Sequence, residues 1–344
     1  MKIKAFFGIM MLLFSLVIHA QDPHFTQFNM QPLLLNPALT GNFSGDFRAN
    51  VNYRDQWRSV AEPYTTIQFS ADGRVTKSQN SQLSIGGYVM NDKAGASEFH
   101  QTLAGANVAA GIRLGHSSSL TAGLGGGLFS QGFNQGSLIW DSQYNGMQYD
   151  PTLGSNENIS ELSVSKFDLN AGLVFKFMSG TNNAYNNDGL KGTIGFSAYH
   201  LTRPQQVSLL TEDAKYSRFT AHADLSIGLA GTNTAIQPSF LLMIQGSQTE
   251  IMPGLTFRYL LREQSRYTGF IKSSAFSIGG YYRAGDAINV VTLFEFSNFG
   301  VGFSYDINAS GLSSATNGSG ALEFALRFIT PAPNKSRLSN NPLY

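Results

Sequence analysis

The sequence predicts an all-β fold: a transmembrane antiparallel β-barrel of about 14 strands, with an irregular N-terminal segment as a candidate plug for its lumen. Three observations predict it. Charged residues make up 13% of the chain, about half the roughly 25% of soluble globular domains. Large and small or polar residues alternate along segments of about 10 to 15 residues, longer than the ~5 to 6 usual for globular strands and enough for the ~9 to 11 that a tilted strand needs to cross a bilayer. An N-terminal leader takes the chain out of the cytoplasm.

The leader is short. Lys2 and Lys4 precede an apolar stretch from Ala5 to Ile18, which ends at His19-Ala20 before Gln21. This is the charged start, apolar centre and small final residue of a cleavable signal peptide over 1–20. At about 14 residues the stretch falls short of the roughly 20 that a spanning helix needs. Cleavage after Ala20 removes two lysines and no acid, so the formal charge goes from +1 to −1. A near-neutral mature chain gives no electrostatic reason to expect nucleic acid as a partner. The absence of cysteine excludes disulfides, thiolate metal sites, a cysteine nucleophile and a lipid anchor on cysteine.

The missing charge has not become hydrophobicity. Apolar residues stand at 42% and the mean hydropathy is −0.10; Gly, Ser, Asn, Gln and Thr fill the difference. A wall with lipid on one side and a watery lumen on the other needs that mixture. A secreted soluble β-sandwich accounts for the neutral polar residues but not for the shortage of charge.

Periodicity separates the two. Along "GALEFALRF", Leu322, Phe324, Leu326 and Phe328 share one face, with Ala321, Glu323, Ala325 and Arg327 opposite. In "KFDLNAGLVFKF", Phe167, Leu169, Ala171, Leu173, Phe175 and Phe177 oppose Lys166, Asp168, Asn170, Gly172, Val174 and Lys176. "FGVGFSYDIN" sets Phe299, Val301, Phe303, Tyr305 and Ile307 against Gly300, Gly302, Ser304, Asp306 and Asn308. In a barrel the large face meets lipid and the small, polar face lines the lumen.

Strands are expected at 46–57, 64–75, 80–92, 98–114, 118–131, 163–178, 191–201, 216–229, 233–245, 250–261, 271–284, 287–297, 298–308 and 319–330. An even number returns both ends of the chain to the periplasmic side. Connections 132–162, 202–215 and 309–318 are long and 76–79, 115–117 and 230–232 short, the asymmetry expected between external loops and periplasmic turns. Connections 179–190 and 262–270 are longer than that rule predicts, and the registers beside them are the least defined. The organisation is thus a signal peptide at 1–20, an irregular segment at 21–45, a barrel at 46–330 and a periplasmic tail at 331–344.

Motifs for chemistry are sparse. His24, His100, His116, His200 and His222 show no metal-ligand spacing; His222 and Asp224 share a strand face, which fits a metal pair or, more simply, polar lumen residues. "GLGGGL" from Gly123 lacks the Lys-Ser/Thr of a phosphate loop and suits a strand whose missing side chains relieve crowding. Ser197 lies three residues before His200, on the opposite strand face for a nucleophile and its base. The chain is therefore expected not to be an enzyme, and no cofactor or metal is expected. The 26 Phe and 14 Tyr include Tyr53, Trp57 and Tyr282 near strand ends, where an interfacial girdle or ordinary sheet packing would place them.

From Gln21 the chain carries Gln21-Asp22-Pro23, Phe25, Gln27, the Asn36-Pro37-Ala38 turn with Gly41, Arg48 and Tyr53-Arg54-x-Gln56-Trp57. By these residues it resembles the opening of the PorP/SprF family of type IX secretion system membrane proteins. Weaker matches are Tyr199-His200-Leu201 with Pro204 and "VGFSYDIN" at Val301 to Asn308, so the resemblance spans nearly the whole mature chain. The 16 residues after Phe328 depart from barrels that end on a terminal aromatic. The resemblance implies an integral outer-membrane protein, in contact with outer-membrane lipid, serving a system that exports surface proteins with C-terminal sorting domains. Its implied partner is such a protein, a large adhesin, bound through its C-terminal domain, in some members in support of gliding motility. Other outer-membrane or periplasmic ring proteins of the system are the alternative partners.

A fourteen-strand barrel is too wide to be filled by its own side chains. Phe25, Phe28, Met30, Leu33, Leu34, Leu35 and Leu39 are expected to fill the periplasmic half of the lumen, with Pro32 and Pro37 keeping the backbone non-helical; binding a periplasmic partner is the alternative. Trp140, Tyr144 and Tyr149 make loop 132–162 a candidate external docking surface, or a lid folded inward. Function classes left open are an interaction scaffold for adhesins, a transporter or porin for small hydrophobic or polar solutes, and a barrel enzyme, for which no residue cluster is found.

Overall fold

The computed structural model describes residues 22–330 apart from 61, 79, 96, 135–137, 155–162, 180–188, 208–212, 263–272 and 312. The expected signal peptide, the expected tail at 331–344 and most of the connections 179–190 and 262–270 lie outside the described residues.

Alternation of large and small side chains builds fourteen long strands that close into one antiparallel barrel. In chain order they are β1 (Phe47–Gln56), β2 (Tyr64–Lys77), β3 (Ser81–Ala94), β4 (Phe99–Arg113), β5 (Ser118–Gly132), β6 (Ser163–Ser179), β7 (Leu190–Tyr199), β10 (Arg218–Gly228), β11 (Thr234–Gln245), β12 (Gln248–Arg262), β13 (Ser274–Arg283), β14 (Ala287–Phe296), β15 (Phe299–Asn308) and β16 (Ser319–Ile329). Two-residue strands β8 (Gln205–Gln206) and β9 (Asp213–Ala214) pair with each other in the β7–β10 connection. Closure is made by β1 and β16, from Arg48↔Ile329 to Gln56↔Ala321. The strand count matches the expectation, and the ends differ from it by three residues or fewer.

The two faces are as the periodicity requires. Ile67, Phe69, Leu124, Phe196 and Phe303 stand exposed on the outside, while their neighbours Gln68, Ser70, Asn170, Ser197 and Ser304 are buried on the lumen side. In a soluble protein this outer surface would be a large unpaired apolar area; around a barrel it is the lipid contact.

The first and last strands share a rim, where the Phe47 N–H donates to Thr330 Oγ1 at 3.0 Å. The strand ends that flank connections 78–80, 114–117, 180–189, 229–233, 263–273 and 297–298 lie at this 46/330 rim. The opposite rim carries the strand ends that flank 57–63, 95–98, 133–162, 200–217, 246–247, 284–286 and 309–318.

Residues 22–45 run through the lumen. Asp22 meets Gln245 and Arg218, at the opposite-rim ends of β11 and β10; Asn36 meets the middles of β6 and β7; Gly41 meets Asp72, near the 46/330 rim. The segment therefore occupies more than the periplasmic half expected for it, because residues 22–31 sit toward the opposite rim. Gly45 thus lies by the rim of the last strand and Asp22 toward the opposite rim. Its backbone is also not free of helix: Pro32 and Pro37 each open one short turn, α1 (Pro32–Leu35) and a 3₁₀ turn at Pro37–Leu39. Proline's fixed φ and missing N–H suit a first helical position, so these prolines start turns rather than prevent them.

Candidate functional site

The lumen segment is clamped between two apolar clusters, one on each side. Phe25, Leu33 and Leu34 pack with Tyr88, Met90, Leu103 and Phe129 of β3 to β5. Phe28 and Leu35 pack with Leu241, Met252, Tyr281 and Val291 of β11 to β14. Phe28 meets Tyr281 edge to face at 5.6 Å. Burying each such side chain stabilises by about 1.5–3 kcal/mol, which holds the chain in the lumen without selecting its depth.

Depth is set by charge. At the opposite rim the Asp22 carboxylate lies 2.7 Å from His200 Nε2, 2.6 Å from Lys215 Nζ and 3.1 Å from Arg218 Nη1, and the Asp22 N–H donates to Gln245 Oε1 at 2.9 Å. The other His200 nitrogen, Nδ1, is 2.7 Å from Asp168. Burial opposes ionisation of Asp22, and His200, Lys215 and Arg218 overcome it, holding the carboxyl well below the usual carboxylate range. Burial likewise disfavours charge on His200, but Asp22 and Asp168 raise it above the ordinary imidazole value. His200 has a left-handed backbone, φ 56°, uncommon for a residue with a Cβ. That twist ends β7 and turns the imidazole toward Asp22.

A second clasp lies across the lumen. The N–H groups of Thr26 and Gln27 donate to the two carboxylate oxygens of Glu323 at 2.7 and 3.0 Å. The Thr26 hydroxyl donates to Asp306 at 2.8 Å. Arg54 bridges Glu323 and Asp306, and Arg283 joins Asp306 to Glu250 at 3.1 Å for each contact. Each guanidinium thus faces at least two carboxylates, the condition under which buried charge is tolerated.

Midway, wall side chains take up the backbone groups that short turns leave unpaired. Tyr199 and Asn107 donate to Leu33 O at 2.7 and 3.2 Å, Arg218 to Leu34 O at 2.9 Å, and Ser197 to Leu35 O at 2.7 Å. Asn36 caps the second turn, its Oδ1 accepting from Ala38 N at 2.9 Å, while its Nδ2 donates to Leu173 O and Phe196 O, each at 3.1 Å. Pro37 and Ala38 press on the wall where a Cβ at Gly123 would overlap their backbone. That is the crowding relieved in "GLGGGL". Near the 46/330 rim, Gly41, with φ 70°, donates its N–H to Asp72 at 2.7 Å. Arg48 grips Asp72 at 2.9 and 2.8 Å and Leu39 O at 3.0 Å. Arg74 holds the carbonyls of Gly41 and Phe43.

The resemblance motifs, far apart in sequence, therefore meet around this segment: Asp22 with His200, Gln27 with Arg54 through their shared partner Glu323, and Gly41 with Arg48 through Asp72. Pro23 is half-buried beside the first clasp. Other motif residues stay at the wall. Tyr53 donates to Asp55 at 3.3 Å, Gln56 accepts from Arg54 at 3.5 Å, and Trp57, one residue past β1 with φ 62°, packs edge to face on Tyr64. Tyr282 is exposed on the outer face. In the connection 133–162, Trp140 is half-buried, and Tyr144 and Tyr149, bridged as a small hairpin, are exposed. Among the described residues no hydrogen bond or ring contact joins them to the lumen segment. His222 stands 3.7 Å from Asp224 and 3.3 Å from the Asn36 amide; among the described residues no group of three or more His, Cys, Asp or Glu could hold a metal.

Sequence reasoning missed Asp72, Asp168, Lys215, Arg218, Glu250 and Arg283. A signal was present for most of them. In a charge-poor chain, a charged residue on the small, polar face of a strand needs a countercharge in the lumen.

The barrel can be set beside solved structures. It is similar to the toluene transporter TbuX of Ralstonia pickettii, at 10% identity and TM-score 0.45, covering 88% of this chain and 94% of that one. It is similar to a FadL homologue of Pseudomonas aeruginosa, at 11% and 0.46, covering 85% and 92%. It is also similar to BamA of Haemophilus ducreyi lacking POTRA domains 1–3, at 10% and 0.41, covering 83% and 70%. Among curated proteins no sequence matches. The profile of the type IX secretion system membrane protein PorP/SprF matches residues 17–328, most of the chain and every residue of both clasps. This outer-membrane β-barrel belongs to the PorP/SprF family of the type IX secretion system.

Proposed function

We propose that this barrel serves its secretion system as a docking component, helping to export a large adhesin-type protein or to hold it at the cell surface through its C-terminal sorting domain, and thereby supporting gliding motility. The observation that supports this is the filled lumen. A segment tied into the lumen by the ion pairs of Asp22 at one end and by Asp72 and Arg48 at the other narrows the path for solutes, which favours work at the two rims. The usual barrel orientation puts the 46/330 rim in the periplasm, toward ring components, and the connections 133–162, 200–217 and 309–318 outside, toward the adhesin. The role is binding, without catalysis.

A tagged copy extracted from the native outer membrane in mild detergent is expected to retain a large surface protein through its C-terminal domain. Retention of periplasmic ring proteins alone would move the role to the core machinery, and a bare barrel would overturn the docking role. The transporter alternative needs the lumen segment to leave. Removing 21–45 is expected to raise ion conductance in planar bilayers; if conductance is unchanged, the segment is not what closes the lumen.

A further inference from the structure

The lumen segment leaves one sector open. On the 46/330 side, between α1 with the Pro37–Leu39 turn and the wall from β6 to β12, lies a cavity of about 360 Å³. Cavities of roughly 300–1,000 Å³ with a few placed polar groups are the size of small-ligand sites.

Its charges are arranged unlike those elsewhere in the lumen. Lys176 of β6 and Lys191 of β7 both line it, on one face of neighbouring strands, with Lys176 opposite Thr193 and Lys191 opposite Met178. Neither has an ion-pair or hydrogen-bond partner among the described residues. Arg48, Arg74 and Lys191 all act on Lys176 as like charges. The carboxylate on the lining is Asp224, which accepts from Asn29 at 2.9 Å and faces His222 at 3.7 Å. Arg48 also borders the cavity but is spent on Asp72. From the lumen segment, Pro32, Leu35 and Leu39 give the cavity an apolar lining beside the polar Asn29, Asn42 and Ser44. Like charges on adjacent strand positions repel, and an anion between them relieves that repulsion while an apolar body covers the apolar lining.

We propose that this cavity binds a carboxylate carried on a short apolar body, entering from the 46/330 rim, with the carboxylate between Lys176 and Lys191 and the body on Leu35 and Leu39. The α-carboxylate end of a polypeptide with an apolar last residue and a free medium-chain carboxylic acid share this chemistry. The site does not depend on the proposed docking role.

The test uses the full chain in lipid nanodiscs, titrated calorimetrically with an N-acetylated peptide ending in leucine, with the same peptide as its C-terminal amide, and with octanoate. A carboxylate probe is expected to bind, more weakly at high salt, and about tenfold or more weakly to the double variant Lys176→Gln, Lys191→Gln. Lys166→Gln, at the far end of β6, is expected to leave binding unchanged. Binding of the peptide acid but not octanoate assigns the source to a polypeptide end, and the reverse to a free acid; either supports the site. Equal binding of the amide, unchanged affinity in the double variant, or no binding of either acid at about millimolar concentration would overturn it. Should the double variant fail to fold, protection of Lys176 and Lys191 from amine-reactive labelling by the acid probe, and not by the amide, decides the same point in the parent protein.

Discussion

The two halves of the lumen are built by the same alternating strands, yet they hold the central segment in different ways. Toward the opposite rim every charge that meets the segment is answered: Asp22 by His200, Lys215 and Arg218, and Asp306 and Glu323 by Arg54 and Arg283. Toward the 46/330 rim, Asp72 is answered by Arg48, but Lys176 and Lys191 face a cavity without a partner among the described residues. The difference teaches what lumen charge is for. Where the segment fills the lumen, a charge is tolerated only in a tight pair, and the pair fixes the segment; where it leaves a cavity, a lysine can stand without a countercharge, open to a ligand.

The comparison breaks most visibly at Arg54. Arg54→Ala leaves Glu323 and Asp306 short of a cation in a buried site, and should destabilise by about 3–5 kcal/mol, read from urea unfolding in detergent; a loss under ~1 kcal/mol would deny that the opposite-rim half carries the stability. Asp22→Ala strips the anion from His200, Lys215 and Arg218. It should cost about 3 kcal/mol and raise conductance, because residues 22–31 lose their anchor; a closed, equally stable barrel would assign the anchoring to Phe25 and Phe28 alone. Gly123→Ala drives a methyl into Pro37 and Ala38 and should cost about 1–3 kcal/mol, with faster hydrogen exchange confined to 33–42 if the strain stays in the segment.

Protons sharpen the contrast further. His200 is raised, so its contribution to the clasp is full below the ordinary imidazole pKa and is lost as pH rises through its raised value; Asp22 is lowered, so its contribution is full above the carboxylate range and lost as pH falls through its lowered value. Between those limits the clasp is strongest. Exchange of the 22–31 amides, corrected for intrinsic rates, should accelerate on the alkaline side in the parent but not in His200→Gln. The smallest effect is expected in the other half, where Lys176→Gln should change stability by no more than ~0.5 kcal/mol; a larger loss would show that this lysine is part of the scaffold.

The barrel itself was legible because its signal is local. Phe167, Leu169 and Leu173 point outward, and Asp168 and Asn170 inward, as period two alone requires. The segment's location was partly legible, since Leu33, Leu34 and Leu35 next to two prolines fit neither a spanning helix nor a disordered leader. Its depth was not. Nothing in the spacing of Asp22 and His200, 178 residues apart, says that they meet, and the prolines that suggested an irregular backbone start turns because Asn36 and the wall complete their hydrogen bonds.

The sequence by itself determined the number of strands, which face of each meets lipid, and the family to which the chain belongs. Each follows from nearest-neighbour pattern, from period, or from motifs read along the chain. Only the tertiary structure decided that the motifs converge on one buried segment, that this segment reaches toward the rim opposite the chain's last strand, and that two lysines are left over. Those facts depend on closure of the ring. Closing fourteen strands brings β1, β7, β10 and β16 around a common axis, and the free energy of buried charge then selects which of their side chains must pair.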